Sequence, residues 1–343
     1  MPLPIWPRDG ARAAVIAVGA RGRYRSVMLR PSLGRSILLL GFLVAIAQAL
    51  PAHAACDPPR CVDVDVPLPA GVTVPTNTVR ILLPADYDPI GLRYPVLYLL
   101  HGAGDTFMSW TDLTDVQEFS AQFQVIIVMP DCGHDAVAGF YSDWIDGSRQ
   151  WETFHTRVLT KYIDRHFATL HNWRHRAAAG LSMGGFGAMS YAARHRRLFR
   201  AAASFSGAVD SLYPTPITSI LYSQQVVNPG IWGSPTTNEN IWRAHNPTDL
   251  AGHLRGVTLF IASGDGAHGG PAGEDPNGGL GGYITEAFIK AMNLDFAGAL
   301  DAYGVPYSKD FYQGGYHGWP YWQRELHWAL PQIMSLIGPP HQR

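Results

Sequence analysis

A serine set among glycines carries the strongest chemical signal in this chain. The segment Gly180-Leu181-Ser182-Met183-Gly184-Gly185 follows Arg176-Ala177-Ala178-Ala179, small and strand-compatible, and precedes a run to Arg194 that reads as a helix. Strand, tight turn and helix is the context that holds a serine on a strained elbow with its oxygen projecting from a sheet. Glycines are needed there because side chains would collide with the neighbouring strand and helix. Such a nucleophile requires a base, an acid to orient the base, and donors for the oxyanion. On an elbow of this kind the order along the chain is serine, acid, histidine, which puts the base near the C-terminus. His317 fits, in the Gly-rich loop Gly314-Gly315-Tyr316-His317-Gly318-Trp319, whereas His327 belongs in the helix that follows. Spacing leaves two acids open: Asp265, directly after the strand ending Ile261-Ala262-Ser263-Gly264, and Glu286 on the next helix. For the oxyanion, the turn His101-Gly102-Ala103-Gly104 after Val96–Leu100 presents the N–H of Ala103, and the N–H of Met183 is the expected second donor. Losing one such donor costs about 3–4 kcal/mol of barrier.

Strand-like runs recur along the chain and must position these groups. They are Val62–Leu68, Val79–Leu83, Val96–Leu100, Val125–Met129, Ala177–Leu181, Ala201–Phe205, Val257–Ser263 and Tyr307–Tyr312. Several are continuous apolar runs, the pattern of strands buried on both faces. Helices are expected over Trp151–Phe167, Met183–Arg194, Tyr283–Ala291 and Tyr321–Leu336. The alternation predicts an α/β fold of one domain, with a mostly parallel central sheet and helices on both faces. Two long segments, Ser211–Thr248 and Gly264–Gly282, follow strands at the carboxyl side of the sheet, where ligands bind in open α/β sheets. They are expected to shape the pocket. So are the aromatic residues Trp110, Phe140, Tyr141, Trp144, Trp319 and Trp322, by their neighbourhood in sequence.

Composition excludes several function classes. Lys and Arg number 26 against 27 Asp and Glu in 343 residues, a formal charge of −1, which argues against a nucleic-acid partner held by phosphate contacts. The basic run Arg194-His195-Arg196-Arg197 ends a helix, where cations complement the dipole. Hydrophobic residues make up 47% and charged residues 15%, which suits a large core and not a disordered chain. Arg30 and Arg35, the apolar run Ser36–Ala47 and the site Ala52-His53-Ala54 together read as a secretory signal over residues 1–54, with an over-extended start before Met28. The run is short for a membrane span, so no integral span is expected in the mature domain, 55–343, and the destination is extracellular or the cell envelope. That destination permits a disulfide. Cys56 and Cys61 bracket a small loop, and Cys132 is left as a buried thiol. No ligand spacing suggests a metal, and no cofactor is expected.

The chain resembles the esterase D-type family of α/β hydrolases, and within it the secreted mycolyltransferases of the antigen 85 complex. The matching pieces are Val96–Gly102, Met129-Pro130-Asp131, Phe140-Tyr141-Ser142-Asp143-Trp144, Trp151-Glu152-Thr153-Phe154, the elbow, and His317-Gly318-Trp319 with Tyr321-Trp322. The resemblance implies an α/β-hydrolase fold. It also favours Glu286 over Asp265, because the mycolyltransferase acid is a helical Glu seven residues before an Asn-Leu pair, here Asn293-Leu294. Feruloyl-esterase relatives use the Asp position instead. The transferases carry Asp-Gly-Leu-Arg at the oxyanion turn and use its Asp and Arg to hold trehalose. His101-Gly102-Ala103-Gly104 lacks both and is closer to the hydrolytic members, as is Gly184-Gly185 where the transferases have Ala-Gly. The expectation is therefore a secreted serine carboxylesterase acting on a small-molecule or lipid acyl ester through Ser182, Glu286, His317, Ala103 and Met183. An acyltransferase moving the acyl chain to a sugar hydroxyl is the alternative, and a non-catalytic envelope-binding protein the third reading. Oligomeric state is not legible.

Overall fold

A computed structural model describes residues 56–134, 138–214, 230–273 and 279–342. All of them belong to the compact unit Gly41–Arg343. The expected signal segment and its cleavage site lie outside the described residues.

Eight strands form one sheet in the order β1-β2-β5-β4-β6-β7-β8-β9. They are β1 (Cys61–Asp65), β2 (Thr78–Leu82), β4 (Val96–Leu100), β5 (Ile126–Pro130), β6 (Arg176–Leu181), β7 (Ala201–Phe205), β8 (Thr258–Ser263) and β9 (Tyr307–Phe311). Pairing is antiparallel from β1 to β2 and from β2 to β5, and parallel for every other pair in the sheet. All eight match the runs expected from sequence within a few residues. A separate two-residue pair, β3 (Leu92–Arg93) with β10 (His341–Gln342), is too short to leave a periodic signal.

Alternation along each strand sends side chains to two cores. Val96, Tyr98 and Leu100 of β4 join one apolar cluster, and Leu97 and Leu99 join the other. The first cluster is covered by α3, a helix in three contiguous segments (Trp151–Thr153, the π-helical Phe154–Leu159, and Thr160–His166), by α4 (Met183–Arg194) and by α6 (Leu280–Ala302). The second is covered by the short α1 (Ser109–Leu113) and α2 (Val116–Ser120) and by α7 (Trp319–Ile337). Strands buried on both faces carry no polar alternation, which is why they read as unbroken apolar runs. At the centre, Ala177, Ala178 and Ala179 of β6 pair with Ala201, Ala202 and Ala203 of β7. Methyl groups on both faces let α4 and α7 lie close to the middle of the sheet.

Helix α6 extends well beyond the expected Tyr283–Ala291. Its buried residues Tyr283, Glu286, Ile289, Asn293, Phe296 and Leu300 continue one stripe past Asn293-Leu294-Asp295. Asn293, a weak helix former, is held because its Nδ2 donates to the carbonyls of Gly207 and Ile289. A short α5 (Glu239–His245) lies within the segment expected to be a long loop. Among the described residues no helix is long and apolar enough to cross a membrane. Cys56 and Cys61 are disulfide-bonded, and Cys132 is buried with its sulfur accepting from the Tyr141 N–H at 3.2 Å.

Candidate active site

Ser182 closes β6 and opens α4 with φ 50° and ψ −116°, a left-handed conformation costly for a residue with a side chain. The strain persists because the surroundings leave no alternative. A Cβ on Gly180 would stand 2.5 Å from the backbone carbon and oxygen of Gly184, and one on Gly185 would stand 2.6 Å from Ser204 Oγ and 2.7 Å from Gly207 Cα. The serine backbone is tied to the next strand by its N–H to Phe205 O at 2.9 Å.

Three side chains from separate elements meet at this elbow. Ser182 Oγ lies 2.9 Å from His317 Nε2, and His317 Nδ1 lies 2.8 Å from Glu286 Oε2. Because Glu286 Oε2 accepts, the neutral imidazole carries its proton on Nδ1 and offers the Nε2 lone pair to the serine hydroxyl. The histidine is 11% exposed and the carboxylate 1%, so the pair works in a low dielectric where its attraction is strong. Glu286 sits in the second turn of α6. Its other oxygen, Oε1, accepts from Ser206 Oγ at 2.7 Å, Gly264 N at 2.9 Å and Ser263 Oγ at 3.1 Å. The loop bearing His317 bends through Gly314 (φ 79°) and Gly315 (φ 96°). It is pinned by the His317 N–H to Gly282 O at 3.1 Å, so base and acid are referenced to the same stretch of chain.

Asp265 is not brought to the imidazole. Its Oδ1 accepts from the N–H of Ala267 at 3.0 Å and of Gly314 at 2.7 Å. It braces the loop after β8 against the loop that carries His317.

The turn after β4 abuts the serine: a Cβ on Gly102 would stand 3.5 Å from Ser182 Cβ. Among the described residues neither the Ala103 nor the Met183 N–H is used in a hydrogen bond. For Met183 this follows from its place in the first turn of α4, where amides lack intrahelical acceptors. His101 holds the turn. Its Nδ1–H donates to Gly102 O at 2.7 Å, its Nε2 accepts from the Cys132 N–H at 2.8 Å, and its carbonyl accepts from Tyr141 Oη at 2.9 Å.

The residues that sequence reasoning missed are those that hold these three side chains in place. Ser206 and Ser263 stand one after and at the end of the neighbouring strands β7 and β8. Small hydroxyl residues at the carboxyl ends of adjacent central strands are the signal that could have found them. Ser206 itself has φ 44°. Glu325, a buried carboxyl on α7 next to Ser206, also escaped notice.

The expected aromatic lining divides. Trp322 stands edge-on to His317 at 5.0 Å and to Trp319 at 5.1 Å, and Trp319 meets Trp110 at 5.3 Å. Trp110, Tyr141 and Trp144 are instead core residues, and Phe140 packs against Phe186 and Trp232. Tyr141 props His101, and Trp144 packs with Phe186, Ile231, Trp232 and Trp242. Glu152, in the Trp-Glu-Thr-Phe stretch, lies outside this site. It pairs with Arg194 at 2.9 Å and His195 at 2.6 Å and borders a separate cavity of 550 Å³ lined also by Arg157, His245 and His253.

This arrangement can deprotonate a serine hydroxyl and hold the resulting imidazolium against a buried carboxylate, and it leaves the Ala103 and Met183 amides without hydrogen-bond partners among the described residues. Residues 75–333 match the family model described as Putative esterase. Esterase Rv1288 of Mycobacterium tuberculosis is 33% identical over 247 residues, 69% of this chain and 52% of that protein, so the chain spans about half the length of this relative. Diacylglycerol acyltransferase/mycolyltransferase Ag85A of Mycobacterium leprae is 26% identical over 319 residues, 88% of this chain and 91% of its own length. Among solved structures, a ferulic acid esterase is 25% identical with a TM-score of 0.59, covering 81% of this chain and 99% of its own. MPT51 (FbpC1) of Mycobacterium tuberculosis, 24% identical with a TM-score of 0.58 over 80% of this chain and 98% of its own, shares the fold. The chain belongs to the putative esterase family of α/β hydrolases, near its mycolyltransferase branch.

Proposed function

We propose that the chain is a secreted serine carboxylesterase that cleaves acyl esters through an acyl-enzyme on Ser182. The observation that carries this reading is the continuous relay Ser182 Oγ, His317 Nε2, His317 Nδ1, Glu286 Oε2, with steps of 2.9 and 2.8 Å on a strained elbow. In the first half-reaction Ser182 Oγ bonds to the acyl carbon while its proton passes to His317 Nε2. The carbonyl electron pair moves to the oxygen, which the Ala103 and Met183 amides receive. Collapse expels the alcohol, which takes the proton from His317. Water then repeats the sequence with His317 as base, releasing the acid and restoring Ser182. Glu286 keeps the imidazole in the reactive tautomer and stabilises its charge. Secretion rests on the N-terminal segment read from sequence.

Acyl transfer is the second reading, favoured by the likeness to the acyltransferase over 88% of the chain. It uses the same acyl-enzyme and differs only in whether water or a sugar hydroxyl attacks. Against it stands the oxyanion turn, which lacks the acidic and basic residues of the transferases.

The test is a fluorophosphonate probe with the adduct located by mass spectrometry, on wild type and Ser182→Ala. An adduct on Ser182 that the variant lacks is expected, together with loss of ester cleavage in a folded variant. Full residual cleavage by Ser182→Ala would end the reading. Product analysis with and without a sugar acceptor then separates hydrolysis from transfer.

A further inference from the structure

Beyond Ser206 lies a second carboxyl group that the reaction above does not use. Glu325 projects from α7 into the protein and is 0% exposed. Its Oε1 accepts from Tyr312 Oη at 2.7 Å and lies 3.4 Å from Ser206 Oγ. The same Ser206 oxygen is 2.7 Å from Glu286 Oε1. Glu325 Oε2 is buried with no hydrogen-bond partner. Nearby cations are engaged elsewhere. Arg324 pairs with Asp310 at 2.7 Å and lies over the Tyr312 ring, while Lys290 donates to Ser263 O at 3.3 Å and lies over the Phe311 ring. No Lys, Arg or His among the described residues forms an ion pair with Glu325.

Two carboxylates bordering one hydroxyl in a dry interior cannot both hold a charge. The structure decides which one does. Glu286 has the Gly264 amide at 2.9 Å and Ser206 Oγ at 2.7 Å on Oε1, with Ser263 Oγ at 3.1 Å sharing its proton with Gly264 O at 2.9 Å, and the imidazole on Oε2; Ser206, with one proton to give, gives it to the closer oxygen. Glu325 has one well-placed donor and an orphaned oxygen. We propose that Glu325 is a positioning residue acting as a neutral carboxylic acid, which with Ser206 confines the single negative charge of the pair to Glu286, where His317 uses it. Glu286, Tyr312, Arg324, Asp310 and Lys290 are the titratable groups around it. Burial above all, and then the charge of Glu286, push the Glu325 carboxyl well above its usual range, with the Tyr312 bond offsetting only part. An ionised Glu325 would compete for the Ser206 proton and loosen the carboxylate that orients His317. The inference rests on the esterase reading of the relay.

The test uses the full chain and its Glu325→Gln and Glu325→Ala variants. Their kcat and KM for p-nitrophenyl acetate are followed against pH, with an infrared search for a protonated carboxyl band at neutral pH. Glu325→Gln, neutral and of the same shape, should keep kcat/KM within about threefold of wild type and leave the acid limb of the profile in place. Glu325→Ala should lose kcat about tenfold with little change in KM, the loss that Gln rescues. The infrared band should be present in wild type and absent from Glu325→Gln. The proposal falls if folded Glu325→Gln loses tenfold or more, if its acid limb moves to lower pH, or if Glu325→Ala keeps full kcat. It falls equally if Glu325→Gln cannot fold, or if wild type shows no band that this variant removes. A wild-type chain that neither labels with fluorophosphonate nor cleaves the ester sinks the esterase reading instead, and the infrared band then judges Glu325 by itself.

Discussion

Replacing Glu286 by Gln tests which acid serves His317. Glu286 Oε1 accepts from the backbone N–H of Gly264 at 2.9 Å and from two serine hydroxyls. The hydroxyls can rotate, but the Gly264 amide cannot, so the glutamine must keep its oxygen at that end. Its NH2 group then occupies the Oε2 position, 2.8 Å from His317 Nδ1. A donor there forces Nδ1 to accept and places the imidazole proton on Nε2, facing Ser182. That tautomer cannot take the serine proton, and no carboxylate remains to stabilise the imidazolium. The expected loss in kcat/KM is about 10³–10⁴, or about 4–5.5 kcal/mol of barrier. Asp265→Asn makes the opposite case. One oxygen accepts both the Ala267 and Gly314 amides, and the Asn oxygen can do the same, so the loss should stay near threefold, under about 1 kcal/mol. Steady-state hydrolysis of p-nitrophenyl acetate by the two variants, with thermal melting to establish folding, gives the comparison. Glu286→Gln retaining more than a tenth of wild-type kcat/KM would refute the reasoning. So would Asp265→Asn falling as far as Glu286→Gln.

Gly180→Ala should destabilise the chain by about 1–3 kcal/mol and slow ester cleavage. Its Cβ would meet the Gly184 backbone at 2.5 Å and Leu100 Cβ at 2.9 Å, and backbone cannot step aside; an unchanged denaturation midpoint would refute this. His155 shapes the response to acid. It is buried, with Nε2–H donating to Asp131 O and Nδ1 accepting from Tyr191 Oη, and burial above all lowers its pKa to about 3. The unfolded chain therefore takes up a proton that the folded protein excludes. The contribution is whole above pH 6.5 and is lost as pH falls toward 3, so wild type should melt lower on acidification and His155→Gln should show a shallower decline. Equal declines would rule His155 out. Glu152 adds a second loss at lower pH. Burial opposes its charge, but His195 and Arg194 outweigh it and lower its pKa to about 2, so its contribution is whole above pH 4.5 and disappears as pH falls through 2. Glu152→Gln should therefore flatten the melting profile below pH 4.5, and an unchanged profile would count against the pairing.

The sequence by itself determined the sheet and the places where chemistry is concentrated. Strands buried on both faces must be apolar throughout, so β4 to β8 were legible without any partner in view. The elbow was legible because close backbone approach at Gly180 and Gly185 excludes any Cβ, a constraint written in local sequence. The histidine loop was found by the order of partners that such an elbow imposes. What spacing alone could not decide was the carboxylate that meets His317, although the resemblance favoured Glu286. Asp265 and Glu286 are both reachable by spacing, and only the rotation of α6 over β8 turns Glu286 toward His317, while the Gly314 amide captures Asp265. The C-terminal end of α6 runs past the expected Ala291 because Asn293, of low helix propensity, is held by its bond to Gly207 on another element. Tyr141 and Trp144 were indistinguishable from pocket rings because an aromatic residue in sequence carries no sign of which side of a wall it faces. Ser206, Ser263 and Glu325 stayed invisible for the same reason. Their importance lies in where β7, β8 and α7 end relative to one another, and that relation exists only once the chain is folded.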